Sequence, residues 1–430
     1  METRKLDFLM SPHDYNSRWI GETSADMKPI TTMEQNGIVP ILENDTRTNG
    51  FAKRFDPKER FPGDYGQAIN PWQLLQLNKR DIGIAVVRRQ PFMITAYLWD
   101  RSFQANEISA PSRAAAMAGQ WTVEHDVKRR AEIAIVVSEN SFKYMPYIRS
   151  GAFYKKPSFK FNVFTGQVMK RTISGLMFTG ALVTRLCQDT SYLGAPADFI
   201  LAEDLKDHVG KYKMWIFANC FAVDEAFVKA VRTIQTTDAT LLWLYAPGYY
   251  QNGTDGVENM KTLTGFEFRR VEGKRIPTME WGVKMAGEPG DSMCPSFEVV
   301  PAENDEVRGA YEDNGAPCLV QRKVGQSRTI YCGINAPGNE VIKQLATEAG
   351  VRFYTDDNDA FDCNDAFFTL HACATGKKTI RFPQKSDVVD VYNRKVVARN
   401  VDTFTFDAPI FTSHLFYYGN QADELLERLK

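Results

Sequence analysis

The sequence predicts an α/β protein built in three successive parts. Three observations carry that prediction. Short, nearly continuous apolar runs alternate with amphipathic stretches through the middle of the chain. Polar residues cluster just after several of those runs, and strict two-residue alternation replaces them toward the C-terminus. The first pattern is that of βαβ units, the last that of antiparallel strands.

Composition sets the outer limits. The chain has 430 residues, and at roughly 150 residues per domain this gives three domains. Formal net charge is −1, which lacks the basic footprint of a nucleic-acid binder. Hydrophobic residues are 43% and aromatics 12%, enough for folded cores. The longest apolar runs, such as AEIAIVV, fall far short of the roughly 20 residues of a spanning helix, so no membrane partner is expected. The first residues, METRKLDFLMSP, contain no export signal, which makes the cytoplasm the default location. Seven cysteines (Cys187, Cys220, Cys294, Cys318, Cys332, Cys363, Cys373) are widely spaced without a C-x-x-C. They read as free or buried thiols, and no metal or cofactor is expected.

The first part, Met1 to about Lys128, contains three strands, LDFLM, GIVPILEN and PFMITAYLWD, separated by a polar stretch and a long loop. Near-continuous apolar strands suit a parallel sheet buried on both faces. A helix follows, opened by Pro111 and Ser112. The second part, about Arg129 to Val351, alternates strand and helix: AEIAIVVSE, ALVTRLCQDT, ADFILAEDL, KMWIFANC, VDEAFVKAVRTI capped by Asp224, ATLLWLYAPG, APCLVQRKV, RTIYCG and NEVIKQLATEAG. This rhythm predicts a doubly wound parallel sheet. The third part, about Arg352 to Lys430, holds TFTFD, a hairpin turning at Asn393-Arg394, and a short polar C-terminal helix. It predicts a small antiparallel β domain.

The chemistry concentrates in the first part. GIVPILENDTRT ends in Glu43, followed by Asn44, Asp45 and Arg47. LDFLMSPHDY ends in His13, Asp14 and Tyr15, and ITAYLWDRSF in Trp99, Asp100 and Arg101. Three parallel strands would thus deliver polar and aromatic groups at one end, where barrel and open-sheet enzymes keep their sites. A carboxylate, an indole face and several donors suit a sugar. The same spacing also fits a surface loop salt-bridged by Arg47 and Arg101.

The series LDFLMSPHDYNSRWIGETS, GIVPILENDTRT, ITAYLWDRSF, AEIAIVVSENSFKYM, YKMWIFANCFAVDEAFVKAV and ATLLWLYAPGYY resembles the C-terminal portion of β-galactosidase-like glycoside hydrolases, family 42. The resemblance runs over nearly the whole chain and is most specific at ENDTRT and at the IFANCFAVDEAF–TLLWLYAPG pair. It implies strands six to eight of a (β/α)8 barrel over 1–128, an amidotransferase-like domain associated with trimers over 129–351, and a small β domain over 352–430. It further implies a retaining β-glycosidase with Glu43 as nucleophile. Trp99 would floor the sugar subsite, His13 and Tyr15 would approach the nucleophile, and Asp45 and Arg47 would belong to the same motif. A carbohydrate ligand and a homo-oligomer, dimer or trimer, are the partners so implied.

The sequence departs from that pattern in one respect. Retaining hydrolysis needs a second carboxyl group about 5 Å away as acid/base. In this clan it comes from strand four, well over a hundred residues before the nucleophile, and only 42 residues precede Glu43 here. Glu22 and Glu34 do not end predicted strands. The expectation is that this chain alone is incomplete, either with a separate chain or partner carrying the rest of the barrel or as a truncated or split gene product. The alternative is a non-catalytic carbohydrate-binding or oligomerisation module. A third reading, an amidotransferase using Cys220, is disfavoured by the sequence around it, Ala218-Asn219-Cys220-Phe221-Ala222, which lacks flanking glycines. Asp356, Asp357, Asp359, Asp362 and Asp365 read as a surface acidic loop, with a weak Ca²⁺ site as the alternative, and His371 and His414 as core histidines.

Overall fold

A computed structural model describes residues 6–15, 17–26, 28–49, 67–95, 105–144, 158–162, 167–171, 178–282, 284–287 and 293–430. The first strands are β1 (Phe8–Pro12), β2 (Val39–Asn44) and β3 (Phe92–Ile94). They form a three-stranded sheet in the order β1-β2-β3, parallel throughout. Its helices are α1 (Ile30–Gln35), α2 (Pro71–Val87) and α3 (Asn106–Glu124).

Two sequence expectations need correction here. First, this sheet is not buried on both faces: Phe8, Leu9 and Met10 of β1 are exposed, as are Val39 and Met93. The even-numbered residues of β2 (Pro40, Leu42, Asn44) are buried, whereas the odd ones are half-buried or exposed. One face is covered and the other is open, as the two-residue period of a strand requires when helices lie on one side only. Second, α3 begins at Asn106, not at Pro111, which lies inside the helix. Ser112, instead of opening the helix, donates its hydroxyl to the Ile108 carbonyl at 3.0 Å.

After the long loop comes a helix that the sequence pattern did not reveal, the 17-residue α2. Asn70 caps it by accepting from Gln73 N–H at 2.9 Å, and Pro71 follows at its first turn. α2 packs against the C-terminal sheet as well as β2. Gly83 makes that approach possible: a Cβ there would lie 2.5 Å from the Thr369 hydroxyl.

The middle of the chain carries β4 (Ile133–Val137), the hairpin of β5 (Ser158–Asn162) and β6 (Gln167–Arg171), β7 (Ala197–Leu201), β8 (Met214–Phe217), the two-residue β9 (Ala222–Val223) and β10 (Thr240–Leu244). The order β7-β4-β8-β10 continues into the strand Ser327–Cys332, all parallel. Counted along the chain this is 2-1-3-4-5, the flavodoxin-like doubly wound order. Antiparallel strands Pro317–Val324, Glu306–Tyr311, Thr278–Trp281 and Lys284–Gly287 extend it, so the nine-stranded sheet is mixed, not parallel throughout. β4, β8 and β10 are buried at every position, which is why they read as continuous apolar runs. Asp224 caps the helix Glu225–Ile234, accepting from Phe227 N–H at 2.8 Å.

The C-terminal part is a five-stranded antiparallel sheet dominated by the hairpin Gly376–Asp390 and Lys395–Ala408. One apolar cluster joins α2 and α3 (Ile82, Val86, Ala115, Trp121) to this sheet (Phe367, Leu415, Tyr417) and the last helix (Leu425). The first and last parts of the chain therefore share a core. His371 is buried in it, paired through Nδ1 with the Ser413 hydroxyl at 2.7 Å and accepting from Gly21 N–H at 2.9 Å.

The acidic stretch is not wholly a surface loop. Asp359 is buried against Lys378 at 2.6 Å. Asp362 is buried between Arg129 at 2.6 Å and Arg88 at 2.7 Å. Arg129 continues to Asp198 of β7 at 2.8 Å, and Asp26 faces Lys28 at 2.9 Å and Arg88 at 4.0 Å. In this network Asp26, Asp198 and Asp362 balance Lys28, Arg88 and Arg129 across all three parts of the chain. No group of metal-ligating side chains occurs among the described residues.

Removing one partner of a buried pair leaves the other charge uncompensated, at about 3–5 kcal/mol. Asp362→Ala, which takes a partner from each of two guanidinium groups, is expected to lose about that much stability in urea unfolding. For Asp26, burial acts upward on the carboxyl, but Lys28 and Arg88 outweigh it and hold it down to about 2, from 3.8. A depressed carboxyl stabilises the fold above its ordinary pKa, and that stability is lost as pH falls through the folded value. The stability difference between the native chain and Asp26→Asn should therefore be full above about pH 4 and shrink toward pH 2. A difference independent of pH would exclude the assignment.

Candidate active site at the strand ends

The parallel register puts the three strand ends level. Pro12 pairs with Glu43, and Glu43 with Met93. Glu43 has the parity of Val39 and Ile41, so its side chain belongs to the open face of the sheet. It is half-buried, and the Thr95 hydroxyl just past β3 donates to its Oε1 at 3.1 Å. Asn44 takes the opposite face, donating to Asn78 of α2 at 3.1 Å, and Asn78 donates to Ser112 of α3 at 2.9 Å. This amide chain fixes the end of β2 against its two helices.

Asp45 and Tyr15 meet, as the candidate site requires. The Tyr15 hydroxyl donates to Asp45 Oδ2 at 2.8 Å, and Arg18 bonds Asp45 Oδ1 at 2.5 Å. The Arg18 guanidinium lies over the Tyr15 ring, 3.8 Å from its centroid. Burial and the Asp45 carboxylate push the Tyr15 phenol up, with a smaller push from Glu43. Glu43, Asp45, Tyr15 and Arg18 therefore act on one another as a single electrostatic group, in which the phenol stays protonated.

His13 lies deeper. Its Nδ1 pairs with the Ser24 hydroxyl at 2.5 Å and lies 3.7 Å from Asp81. Burial lowers its pKa against the opposing pull of Asp81, so the ring is neutral. Its Nε2 has no hydrogen-bond partner among the described residues. Arg47 is half-buried, with its carbonyl accepting from Ala68 N–H at 2.9 Å. Trp99, Asp100 and Arg101 lie outside the described residues.

Sequence reasoning missed the support beneath this site. Arg80 of α2, 1% exposed, donates to the carbonyls of Trp19 at 2.7 Å, Arg18 at 3.0 Å and Glu22 at 3.1 Å. Its Nε pairs with Asp81 at 2.9 Å, and Asp81 also accepts from Thr46 at 3.0 Å. Burial acts upward on Asp81, but Arg80 and His13 more than offset it and hold the carboxyl below its ordinary value. One helix thereby holds both the loop after β1 and the turn after β2. The Asn70-Pro71 start signal would have located that helix, but not its contacts.

Neither upstream glutamate is placed to partner Glu43. Glu22 accepts from the Tyr192 hydroxyl at 3.2 Å and lends its carbonyl to Arg80. Glu34 sits on α1, from which the turn enters the start of β2, the end opposite Glu43. Cys220 lies past the end of β8, fully buried, and burial pushes its thiol well up. It is a packed thiol with none of the thiolate character a nucleophile needs.

No family model matches the chain, and no curated protein matches it. Solved structures do. A β-galactosidase from Bacillus circulans sp. alkalophilus aligns over 92% of this chain and 62% of its own, with a TM-score of 0.57 and 13% identity. Gan42B, a family 42 β-galactosidase from G. stearothermophilus, aligns over 90% and 65%, with a TM-score of 0.55 and 10% identity. An α-L-fucosidase from Paenibacillus thiaminolyticus aligns over 92% and 62%, with a TM-score of 0.54 and 11% identity. The chain thus spans under two thirds of the length of these enzymes. What it shares with them is a fold, that of a portion of family 42 β-galactosidases and related glycoside hydrolases.

Proposed function

We propose that this chain is the nucleophile-bearing part of a retaining, β-galactosidase-like β-glycosidase. The observation that carries the reading is Glu43 itself. It is a carboxylate at the C-terminal end of the central strand of a parallel sheet, on the open face, beside an Asp45 that Tyr15 hydrogen-bonds and Arg18 ion-pairs. Glu43 attacks the anomeric carbon as the glycosidic bond breaks and the aglycone leaves with a proton from the acid/base carboxyl, and water deprotonated by that same group then cleaves the glycosyl ester and frees Glu43. Thr95 orients one carboxylate oxygen and leaves the other for attack. Neutral His13 and protonated Tyr15 serve as hydrogen-bonding groups toward the sugar, with Asp45 and Arg47 behind them. Trp99 floors the ring, flanked by Asp100 and Arg101.

In this reading, residues 1–128 are barrel strands six to eight, 129–351 the amidotransferase-like domain and 352–430 the small β domain, in a homo-oligomer. The acid/base carboxyl belongs to the rest of the barrel, supplied by a separate chain or a longer form of this one. The open, apolar face of Phe8, Met10, Val39 and Met93 supports this, because such a patch marks a surface built to be covered. A non-catalytic carbohydrate-binding role is the second reading. It is favoured by one observation: the other described carboxylates past the strand ends are already engaged, Asp14 by Gln188 at 2.7 Å and Asp45 by Tyr15 and Arg18.

Co-expression with a polypeptide carrying barrel strands one to five should produce hydrolysis of nitrophenyl β-galactoside, and Glu43→Gln should reduce it to background. A 2-deoxy-2-fluoro-galactoside should label Glu43 in the peptide mass map. Full activity in Glu43→Gln would remove the assignment. Sugar binding without turnover in the complemented protein would favour the second reading.

A further inference from the structure

A cleft of about 490 Å³ lies away from Glu43, between the start of the parallel sheet and the C-terminal β part. On one side are Arg130 and Glu132, just before β4, with Ala195 and Pro196 before β7. On the other are Tyr354, Asp365, Tyr418 and the segment Pro383, Gln384, Ser386. That segment is an irregularity in the long hairpin: pairing jumps from Arg381 to Ser386 and again to Val388. Bulges of this kind re-aim side chains and recur beside binding sites.

The charges lining the cleft balance in number, Arg130 and Arg352 against Glu132 and Asp365, but they do not all pair off with one another. Asp365 is bonded by Arg130 at 2.7 Å and 2.9 Å. Glu132 is taken by Lys213 at 2.9 Å and by the Arg352 backbone N–H at 2.7 Å. The Arg352 guanidinium is left over: it is exposed and has no hydrogen bond or ion pair among the described residues. The Gln384 side-chain amide is likewise uncommitted. The Tyr418 hydroxyl is already engaged, by the Asn364 carbonyl and by the Tyr354 side chain.

We propose that this cleft is a second, non-catalytic binding site for a short acidic saccharide, with the sugar carboxylate on Arg352. The volume falls within the roughly 300–1,000 Å³ of small-molecule sites, room for a disaccharide. A planar guanidinium without a partner matches a carboxylate bidentately. The Gln384 amide and the Ser386 hydroxyl beside it match sugar hydroxyls, which both donate and accept. The site is independent of Glu43 and of the hydrolytic reading.

The test is calorimetric titration of the full chain with digalacturonate and with neutral galactobiose. Digalacturonate should bind, more tightly than galactobiose and more weakly as salt rises. Arg352→Ala should weaken it about tenfold, Arg352→Lys less, and Gln384→Ala measurably. Because the Arg352 side chain bonds nothing in the fold, its variants should keep the native melting temperature, and a lowered one is controlled by Gln384→Ala. Glu43→Gln should leave the affinity unchanged. No digalacturonate binding, binding insensitive to both cleft variants, or binding abolished by Glu43→Gln would each overturn the proposal.

Discussion

The buried ion network around Asp362 is the constraint on which the assembly of this chain rests. Asp362 belongs to the C-terminal sheet, Arg88 follows α2, and Arg129 leads into β4. A buried charge is tolerable only with its partners in place, so none of these segments can dock without the others. The shared apolar cluster of α2, α3 and the last sheet gives the driving force. The charges set the alignment. Arg129 carries that alignment into the doubly wound sheet through Asp198, whose other oxygen accepts from Tyr212 at 2.8 Å.

The candidate site inherits this order at one remove. α2 is held from behind by the C-terminal sheet and in front reaches the strand ends through Asn78, Arg80 and Asp81. A helix that bore only apolar contacts could slide by fractions of an ångström. Three carbonyls on one guanidinium leave little such freedom, since the fork of donors has fixed geometry. Positioning of the β1 loop is thus a property of the whole fold, although the candidate site residues all belong to the first part of the chain.

Much of this was legible in the sequence, for physical reasons that also explain the failures. β4, β8 and β10 are buried on both sides, and such strands announce themselves as apolar runs. Glu43 was legible because a carboxylate directly after such a run marks a strand end. α2 was not, because its buried side includes Gln73, Gln76, Asn78, Arg80 and Asp81, so its burial does not follow its hydrophobicity. The acidic stretch misled for the same reason: Asp359 and Asp362 are buried by partners far away in sequence. The open face of β1 was hidden by the opposite effect, an apolar strand that nothing in the described chain covers.

That open face bears on the strength of any charge placed upon it. Two unit charges 4 Å apart interact by about 1 kcal/mol in water and about 4 kcal/mol at the effective dielectric near a protein surface. Glu43, standing on the uncovered side of β2, spends its field on solvent. Covering Phe8, Met10, Val39 and Met93 would displace that solvent and amplify every interaction between Glu43 and its neighbours. Anything packed against the sheet would thus set how strongly the carboxylate interacts with its neighbours, before contributing any group of its own.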